Sequence, residues 1–119
     1  MTKTETYAGG CHCGKVRYEV KADLSQAITC NCSMCSKTGA ILAFSPAGDF
    51  TLISGTDSVT DYTFNKHVIH HLFCTTCGIR AFGRGTMPDG TEMVGINVRC
   101  LDGVDTSALT PMAYDGKSI

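Results

Sequence analysis

Cysteine is the residue type that most strongly suggests chemistry in this sequence, because eight cysteines occur in 119 residues. Seven of them fall into three short groups, which are Cys11-His12-Cys13, Cys30-Asn31-Cys32-Ser33-Met34-Cys35 and Cys74-Thr75-Thr76-Cys77. The eighth, Cys100, stands alone. The N-terminal residues lack the apolar stretch of a secretory signal, so we expect a reducing, cytoplasmic environment. Clustered thiols in that environment predict metal binding and not disulfide bonds.

The first predicted metal site combines the two outer groups. Cys74 and Cys77 are separated by two residues, which lets both sulfurs reach one tetrahedral zinc ion at about 2.3 Å. Cys11 and Cys13 form a tighter half-site, and a glycine follows each pair. Joined, the four cysteines predict a closed, structural zinc site that links the N-terminal region to the middle of the chain.

The middle group predicts a second site of a different kind. Cys30, Cys32 and Cys35 offer three thiolates within a short segment. Three protein ligands and one open position are typical of a catalytic zinc, where a water molecule or a substrate thiol takes the fourth position. The alternative is that Cys100 or a histidine closes this site and makes it structural.

The remaining cysteine and the histidines are weaker candidates for ligands. Cys100 follows a strand-like segment, which favours the role of a small buried apolar residue. Strand alternation places His67 and His71 on one face and His70 on the other, and such residues more often pack or face solvent than bind metal. The alternative for His70 or His71 is a proton shuttle. His12 lies between two predicted ligands and is expected to point to solvent.

Short strands separated by turn residues must position these cysteines, and the sequence predicts an all-β chain or nearly so. Alternating patterns and short apolar runs predict strands over residues 15–20, 40–45, 50–54, 59–64, 67–73, 79–83 and 92–99. Asn65-Lys66 and Pro88-Asp89-Gly90 are the predicted turns between neighbouring strands. One helical turn is predicted over residues 33–37, and residues 101–119 are predicted to be loop with one short turn.

Length and composition are those of one globular domain, residues 1–119. Hydrophobic residues make up 43% of the chain and charged residues 18%, so a buried core can form. The formal net charge is −1, and no run of like charge predicts binding to nucleic acid or to an anionic membrane. No segment approaches the roughly 20 apolar residues that cross a bilayer, and we expect a soluble cytoplasmic protein.

The cysteine groups and the residues around them resemble a known family. The segments that carry the resemblance are residues 10–19 (GCHCGKVRYE), residues 30–39 with their three cysteines, Lys37 and Gly39, residues 73–78 (FCTTCG) and residues 97–102 (NVRCLD). In this order and spacing the chain resembles the glutathione-dependent formaldehyde-activating enzyme family, which also includes the domain of centromere protein V. The resemblance covers nearly the whole chain and extends to Asp115-Gly116.

This resemblance implies a zinc-bound, mainly β fold of two facing sheets, of the β-tent or zinc-ribbon-like kind, with two zinc ions per chain. The implied ligands are Cys11, Cys13, Cys74 and Cys77 for a structural ion and Cys30, Cys32 and Cys35 for a catalytic one. The implied activity is carbon–sulfur lyase chemistry, in which glutathione and formaldehyde condense to S-hydroxymethylglutathione. The carboxylates of glutathione need cationic partners, and the candidates are Lys37, Arg80, Arg84 and Arg99.

Three functions are compatible with these residues. The first is a zinc enzyme that acts on an adduct of a small thiol such as glutathione. The second is a non-catalytic, zinc-stabilised module that binds another protein, and the third is a redox protein whose 30–35 cluster releases zinc on oxidation. An enzyme needs an open zinc position beside a concave pocket with cationic residues, whereas a binding module exposes an apolar patch. The near-neutral charge and the scattered aromatic residues favour the small-molecule enzyme.

Overall fold

The computed structural model of the chain describes residues 4–64 and 68–115. Within these ranges the strands and the α-helix are β1 (Glu5–Gly10), β2 (Arg17–Ala22), β3 (Ile28–Cys30), α1 (Ser33–Thr38), β4 (Ile41–Pro46), β5 (Phe50–Ser54), β6 (Val59–Tyr62), β7 (His70–Cys74), β8 (Arg80–Thr86), β9 (Glu92–Asn97) and β10 (Met112–Tyr114). His67, the predicted Asn65-Lys66 turn and Gly116 lie outside the described residues.

The strands form two sheets. β1, β2 and β5 make a three-stranded antiparallel sheet in that order. The other strands make a seven-stranded sheet in the order β10-β3-β4-β9-β8-β7-β6. Its neighbours are antiparallel except β10 and β3, which pair in parallel. The prediction of a mainly β fold with two facing sheets is therefore confirmed.

Hydrophobic alternation and turn residues account for most of the elements. Every predicted strand overlaps an observed one, with ends that differ by a few residues. The predicted turn between β8 and β9 is present, and Gly90 there donates its N–H to the Met87 carbonyl at 2.9 Å. The predicted helical turn is confirmed as α1. Alternation, apolar runs and turn residues therefore predict most of the strands and the helix that carry or border the cysteines.

The prediction for the C-terminal region is wrong in one part. Residues 112–114 form β10 and not loop, because Met112 donates its N–H to the Ala27 carbonyl at 3.0 Å and Asn31 donates its own to the Tyr114 carbonyl at 3.3 Å. These contacts place β10 parallel to β3, so the fold is not made of antiparallel strands alone. The tail consequently lies against the strand that leads into the middle cysteine group.

The predicted strand over residues 92–99 also ends early. β9 stops at Asn97, whose side chain accepts a hydrogen bond from the Arg99 N–H at 3.1 Å and caps a 3₁₀ turn over Val98–Cys100. Cys100 therefore sits in a turn and not at the end of a strand. It is half-buried and packs against the core, as expected for a small apolar residue.

The main core lies between the two sheets and is centred on three aromatic rings. Tyr18 from β2, Phe50 from β5 and Phe82 from β8 are buried, with ring centroids 4.9 to 5.9 Å apart. The Tyr18 hydroxyl donates a hydrogen bond to the Ala81 carbonyl at 3.2 Å, which satisfies its polar atom inside the core. Aromatic contacts of this kind hold β2 against β8 and so fix the elements that carry the outer cysteines.

No helix among the described residues is long and apolar enough to cross a membrane.

Candidate metal centres

The two outer cysteine groups meet in one cluster, as predicted. Cys11 and Cys13 lie in the turn after β1, while Cys74 ends β7 and Cys77 lies in the turn before β8. The Sγ atoms of Cys11 and Cys13 are 3.5 Å apart, those of Cys13 and Cys74 are 3.6 Å apart, and all four lie within 4.8 Å of one another. A tetrahedral zinc ion with sulfurs at about 2.3 Å needs neighbouring sulfurs about 3.8 Å apart. These four side chains therefore fit a zinc ion.

The backbone around this cluster is arranged to stabilise thiolates. The N–H of Val16 lies 3.3 Å from the Cys11 sulfur, and the N–H of Thr76 lies 3.4 Å from the Cys74 sulfur. Gly78 has a φ of 80°, which a glycine adopts without steric cost, and its N–H donates to the Cys74 carbonyl at 2.8 Å. Sulfur atoms that accept backbone hydrogen bonds hold negative charge more easily, which suits metal ligands.

Hydrogen bonding lowers the pKa of two of these thiols. At Cys13 the Lys15 N–H acts in the same direction, but desolvation and the neighbouring cysteine sulfurs outweigh it and raise the pKa to about 11. The backbone N–H of Ile79, followed by that of Cys13, lowers the pKa of Cys77 to about 6. The backbone N–H of Cys77 is the main cause of a lowered pKa at Cys74. A lowered pKa makes the thiolate easier to form, and the thiolate is the form that binds metal.

The middle cysteine group forms a second, separate cluster. Cys30 ends β3, Cys32 is the N-cap residue of α1 and Cys35 lies within that helix. The Cys35 N–H donates to the Cys32 sulfur at 3.3 Å, and the Cys32 N–H lies 3.5 Å from the Cys30 sulfur. The three Sγ atoms lie within 4.8 Å of one another, so they fit three corners of a tetrahedral site.

This second cluster has three members in the part of the chain that the structure describes. Over residues 4–64 and 68–115 no further Cys, His, Asp or Glu side chain joins it. Cys100, the predicted alternative ligand, instead directs its sulfur toward the Arg80 carbonyl at 3.9 Å. The arrangement therefore agrees with a site that keeps one position open.

Burial differs among the three thiols of the second cluster. Cys35 is buried with Ala40 and Leu42, whereas Cys30 and Cys32 are half-buried. Burial raises the pKa of Cys35 to about 12, and the positive charge of Arg80 opposes that rise. At Cys32 burial is the largest single influence and acts in the same direction, but hydrogen bonds from the Cys35 N–H, the Cys35 and Cys30 side chains and the Met34 N–H together outweigh it and lower the pKa. Metal binding at this cluster must displace a proton that burial holds on Cys35.

An open groove of about 500 Å³ lies beside the second cluster. The side chains that line it are mostly apolar, and they are Ile28, Leu42, Phe44, Ile69, Met87, Met93 and Tyr114, with Arg80, Arg84, Thr86 and the glycines 83, 85 and 95. Ile28 and Leu42 also pack against the three cysteines, so the groove and the cluster share a wall. A volume of this size suits a small molecule.

The four cationic candidates occupy different places. Arg80 and Arg84 line the groove, and Arg84 also lies over the Phe50 and Phe82 rings at 5.2 and 5.5 Å. Lys37 is exposed in the last turn of α1. Arg99 is exposed near the Thr106 hydroxyl at 3.5 Å and does not line the groove.

The histidines keep the alternation that the strand pattern predicts. His71 is 4% exposed, and neither of its ring nitrogens has a hydrogen-bond partner among the described residues. His70 points to the other face and pairs with Asp61 at 2.6 Å. His12 is exposed, as expected. None of these three joins a cysteine cluster in the described part of the chain.

Sequence reasoning missed the groove walls. Tyr114 comes from a tail that is predicted to be loop, and the apolar run that contains Phe44 predicts a strand but not a groove. One signal could have indicated the groove, because glycines at positions 83, 85 and 95 leave one face of two strands without side chains.

The fold and the two cysteine clusters define a small, mainly β domain with two candidate metal centres. A family model described as glutathione-dependent formaldehyde-activating enzyme matches residues 6–115. A crystal structure of a Rhodobacter sphaeroides protein, a Northeast Structural Genomics target, is similar to this chain with 34% sequence identity and a TM-score of 0.80, and the match covers 90% of this chain and 98% of that one. The chain belongs to the glutathione-dependent formaldehyde-activating enzyme family.

Proposed function

We propose that this protein is a zinc-dependent carbon–sulfur lyase that interconverts glutathione and formaldehyde with S-hydroxymethylglutathione. The observation that carries the proposal is the cluster of Cys30, Cys32 and Cys35, which has no fourth member among the described residues and shares a wall with a groove. Family membership supports the choice of glutathione and formaldehyde as substrates.

The proposal assigns two zinc ions to one domain that spans residues 1–119. The first is structural and is held by Cys11, Cys13, Cys74 and Cys77. The second is held by Cys30, Cys32 and Cys35. When bound there, zinc supplies Lewis acidity to an oxygen or sulfur atom at its open position.

In the proposed reaction the thiol of glutathione adds across the carbonyl of formaldehyde. A sulfur–carbon bond forms, the π pair of the carbonyl moves to oxygen, and the thiol proton ends on that oxygen. Ile28 and Leu42 shield the cysteine end of the groove from water, which strengthens electrostatic interactions there. Arg80 lies at the same end and supplies positive charge for a substrate carboxylate.

A second candidate is a module that binds another protein, and the exposed rim of the groove favours it. Phe44, Ile69 and Met87 are apolar, line the groove and are 49%, 52% and 51% exposed. Apolar rims of this kind occur at protein interfaces as well as at small-molecule sites. The enzyme is preferred because a protein interface does not require an open three-cysteine cluster.

The test is formaldehyde–glutathione exchange measured by NMR with the two-zinc protein and with Cys32→Ser carrying one zinc. Cys100→Ser is the matched control, because Cys100 lies outside both clusters. Faster exchange with the native protein and Cys100→Ser, but not with Cys32→Ser, would support the proposal. Equal rates for all three proteins would remove formaldehyde activation as the function.

A further inference from the structure

Two glycines lie side by side on neighbouring strands beneath the groove, in a row of paired residues that crosses four strands. The register pairs Phe44 of β4 with Gly95 of β9, Gly95 with Gly83 of β8, and Gly83 with His71 of β7. A Cβ atom at Gly95 would lie 3.1 Å from the Phe44 ring. The Phe44 ring therefore lies directly over Gly95, and its outer face, which is exposed, is an apolar surface that a flat group in the groove can contact.

The groove has a charged end and an apolar end. Ile28, Leu42 and Arg80 lie at the end next to the three cysteines. β8 begins at Arg80 and extends from there along the groove. Met87, just after the end of β8, and Ile69 line the opposite end of the groove. A ligand in the groove therefore meets positive charge near the reacting atoms and apolar side chains further away.

Arg80 lacks partners for part of its guanidinium group. Its Nε and Nη1 atoms are buried and have no hydrogen-bond partner among the described residues. Its Nη2 atom lies over Gly83, 3.4 Å from where a Cβ atom of that residue would be, and is the guanidinium nitrogen left for a ligand in the groove. Positive charge that is short of partners favours a negatively charged ligand, and a carboxylate can accept a charge-assisted hydrogen bond from Nη2.

Neither substrate of the proposed function has a group that suits the apolar end of this groove. Formaldehyde has no substituent that could lie among the apolar side chains. Glutathione carries an ammonium group, and no carboxylate is among the described residues that line the groove. A charge that leaves water without a partner is costly, so the apolar end does not suit the γ-glutamyl part of glutathione.

We propose that the groove binds a carbonyl compound with a carboxylate next to the reacting carbon and an apolar aryl or alkyl tail. Arg80 holds the carboxylate, and the tail lies against Phe44, Ile69 and Met87. This inference rests on the proposed function and changes its carbon substrate. The step is the same thiol addition, in which the sulfur–carbon bond forms, the carbonyl π pair moves to oxygen and the thiol proton follows it.

Binding of unreactive probes to the zinc-loaded protein tests the inference. The probes are 3-phenylpropionate, its neutral counterpart 3-phenylpropan-1-ol, and propionate, which lacks the aryl tail. Binding is followed by methyl NMR at Leu42, Ile69 and Met87, with Ile53 on the three-stranded sheet as the control methyl. We expect 3-phenylpropionate to shift the groove methyls and to bind at least about tenfold more tightly than either other probe, because it alone makes both contacts.

Two substitutions separate the contacts. Arg80→Gln should bring 3-phenylpropionate down to the affinity of the alcohol, whereas the control Arg99→Gln should leave it unchanged. Phe44→Ser should weaken both aryl probes and leave propionate unchanged; Phe44 is half-exposed, so this variant is expected to fold. Equal binding of the acid and the alcohol to the native protein would overturn the inference, as would tighter binding of glutathione at the same methyls.

The inference and the proposed function fail in different experiments. Exchange of formaldehyde with glutathione that depends on Cys32, together with no preference for 3-phenylpropionate, would overturn the groove ligand and leave the proposed function standing. Selective binding of 3-phenylpropionate without formaldehyde exchange would overturn the proposed formaldehyde chemistry and support the groove ligand.

Discussion

Cys13 and Cys74 are 61 positions apart in the chain, and their sulfur atoms lie 3.6 Å apart. The same junction carries a hydrogen bond from the Lys15 ammonium to the Thr76 hydroxyl at 3.2 Å. A metal ion at this cluster would join the β1–β2 hairpin to the turn between β7 and β8. Closing a loop of this length removes many conformations from the unfolded chain. Loss of the ion should therefore lower the free energy of unfolding of the whole domain.

The two clusters should therefore respond differently to the loss of one cysteine. We expect Cys74→Ser to unfold the protein at ordinary temperature, because structural zinc contributes on the order of 10 kcal/mol in small zinc-finger peptides. We expect Cys32→Ser to remain folded with one zinc ion, since the second cluster packs at the edge of the core. Circular dichroism and zinc content per chain measure the two outcomes.

Cys100→Ser serves as the control for both substitutions, because Cys100 belongs to neither cluster. It should keep two zinc ions, and its free energy of unfolding should lie within about 1–2 kcal/mol of the native value. If Cys74→Ser and Cys32→Ser melt alike, the division into a structural and a catalytic site is wrong.

Graded removal of zinc should follow the same order. The second cluster offers three protein ligands and has two half-buried thiols, so we expect a weak chelator to take its zinc first. This first loss should leave the far-ultraviolet spectrum and the melting temperature nearly unchanged. The second zinc should leave only with unfolding, and a colorimetric chelator titration followed in parallel by circular dichroism checks the order.

Cys32→Ser is the control for the chelation experiment, since it should show the second phase alone. Release of both ions in a single step together with unfolding would contradict the predicted order. It would mean that the three-cysteine cluster also holds the fold together.

The sequence was sufficient to predict both cysteine clusters. Their cysteines come in pairs or triplets within six residues, and such short spacings restrict the geometry whatever the surrounding fold. The strands were predictable for a similar reason, because alternation in segments such as residues 15–20 is a local signal. Joining Cys11 and Cys13 with Cys74 and Cys77 required only the count of ligands that zinc needs.

The groove could not be predicted in the same way. It is formed by residues from several strands, and the register that brings Gly83 next to Gly95 is set by long-range pairing. The position of Tyr114 depends on a three-residue parallel pairing between β10 and β3, which leaves almost no pattern in the sequence. Arg80 was a candidate by charge alone, and only the fold distinguishes it from the exposed Arg99.

The end of α1 should control the second cluster. Gly39 is the C-cap residue with a φ of 67°, and its N–H donates to the Cys35 carbonyl at 3.0 Å. Alanine in this left-handed conformation costs about 1 kcal/mol, and the cost falls on the turn that carries two of the three cysteines. We expect Gly39→Ala to weaken zinc binding at the second cluster by about fivefold, as measured by competition with a chelator.

Gly39→Asn should show a smaller loss, because asparagine tolerates the left-handed region better than alanine. Gly48→Ala is the control, since space around Gly48 is open and its φ is not positive. Unchanged zinc affinity in Gly39→Ala would mean that the helix end does not position the cysteines.

His71 should make the stability of the fold depend on pH. Burial, followed by the charge of Arg80, lowers the pKa of His71 to about 4, while Asp61 opposes this shift and His70 adds to it. In the unfolded chain the imidazole titrates near pH 6.5. Between about pH 6.5 and 4 it is therefore protonated in the unfolded chain and neutral in the folded protein, which favours unfolding. Stability is therefore fully present above about pH 6.5 and falls as the pH drops toward 4.

We expect the native protein to lose up to about 1 kcal/mol of unfolding free energy between pH 7.5 and 5.5 through this group. His71→Phe should remove that loss, because phenylalanine has no nitrogen to protonate and can pack against Phe64, whose ring centroid lies 5.3 Å from that of His71. His70→Gln is the control and should keep the pH dependence. Urea unfolding of the native protein and the variants at the two pH values measures the difference. All of these proteins have the same cysteine clusters, so an effect of acid on metal binding is common to them and drops out of the comparison. A native protein and a His71→Phe variant with the same pH dependence would show that the buried imidazole is not the sensitive group.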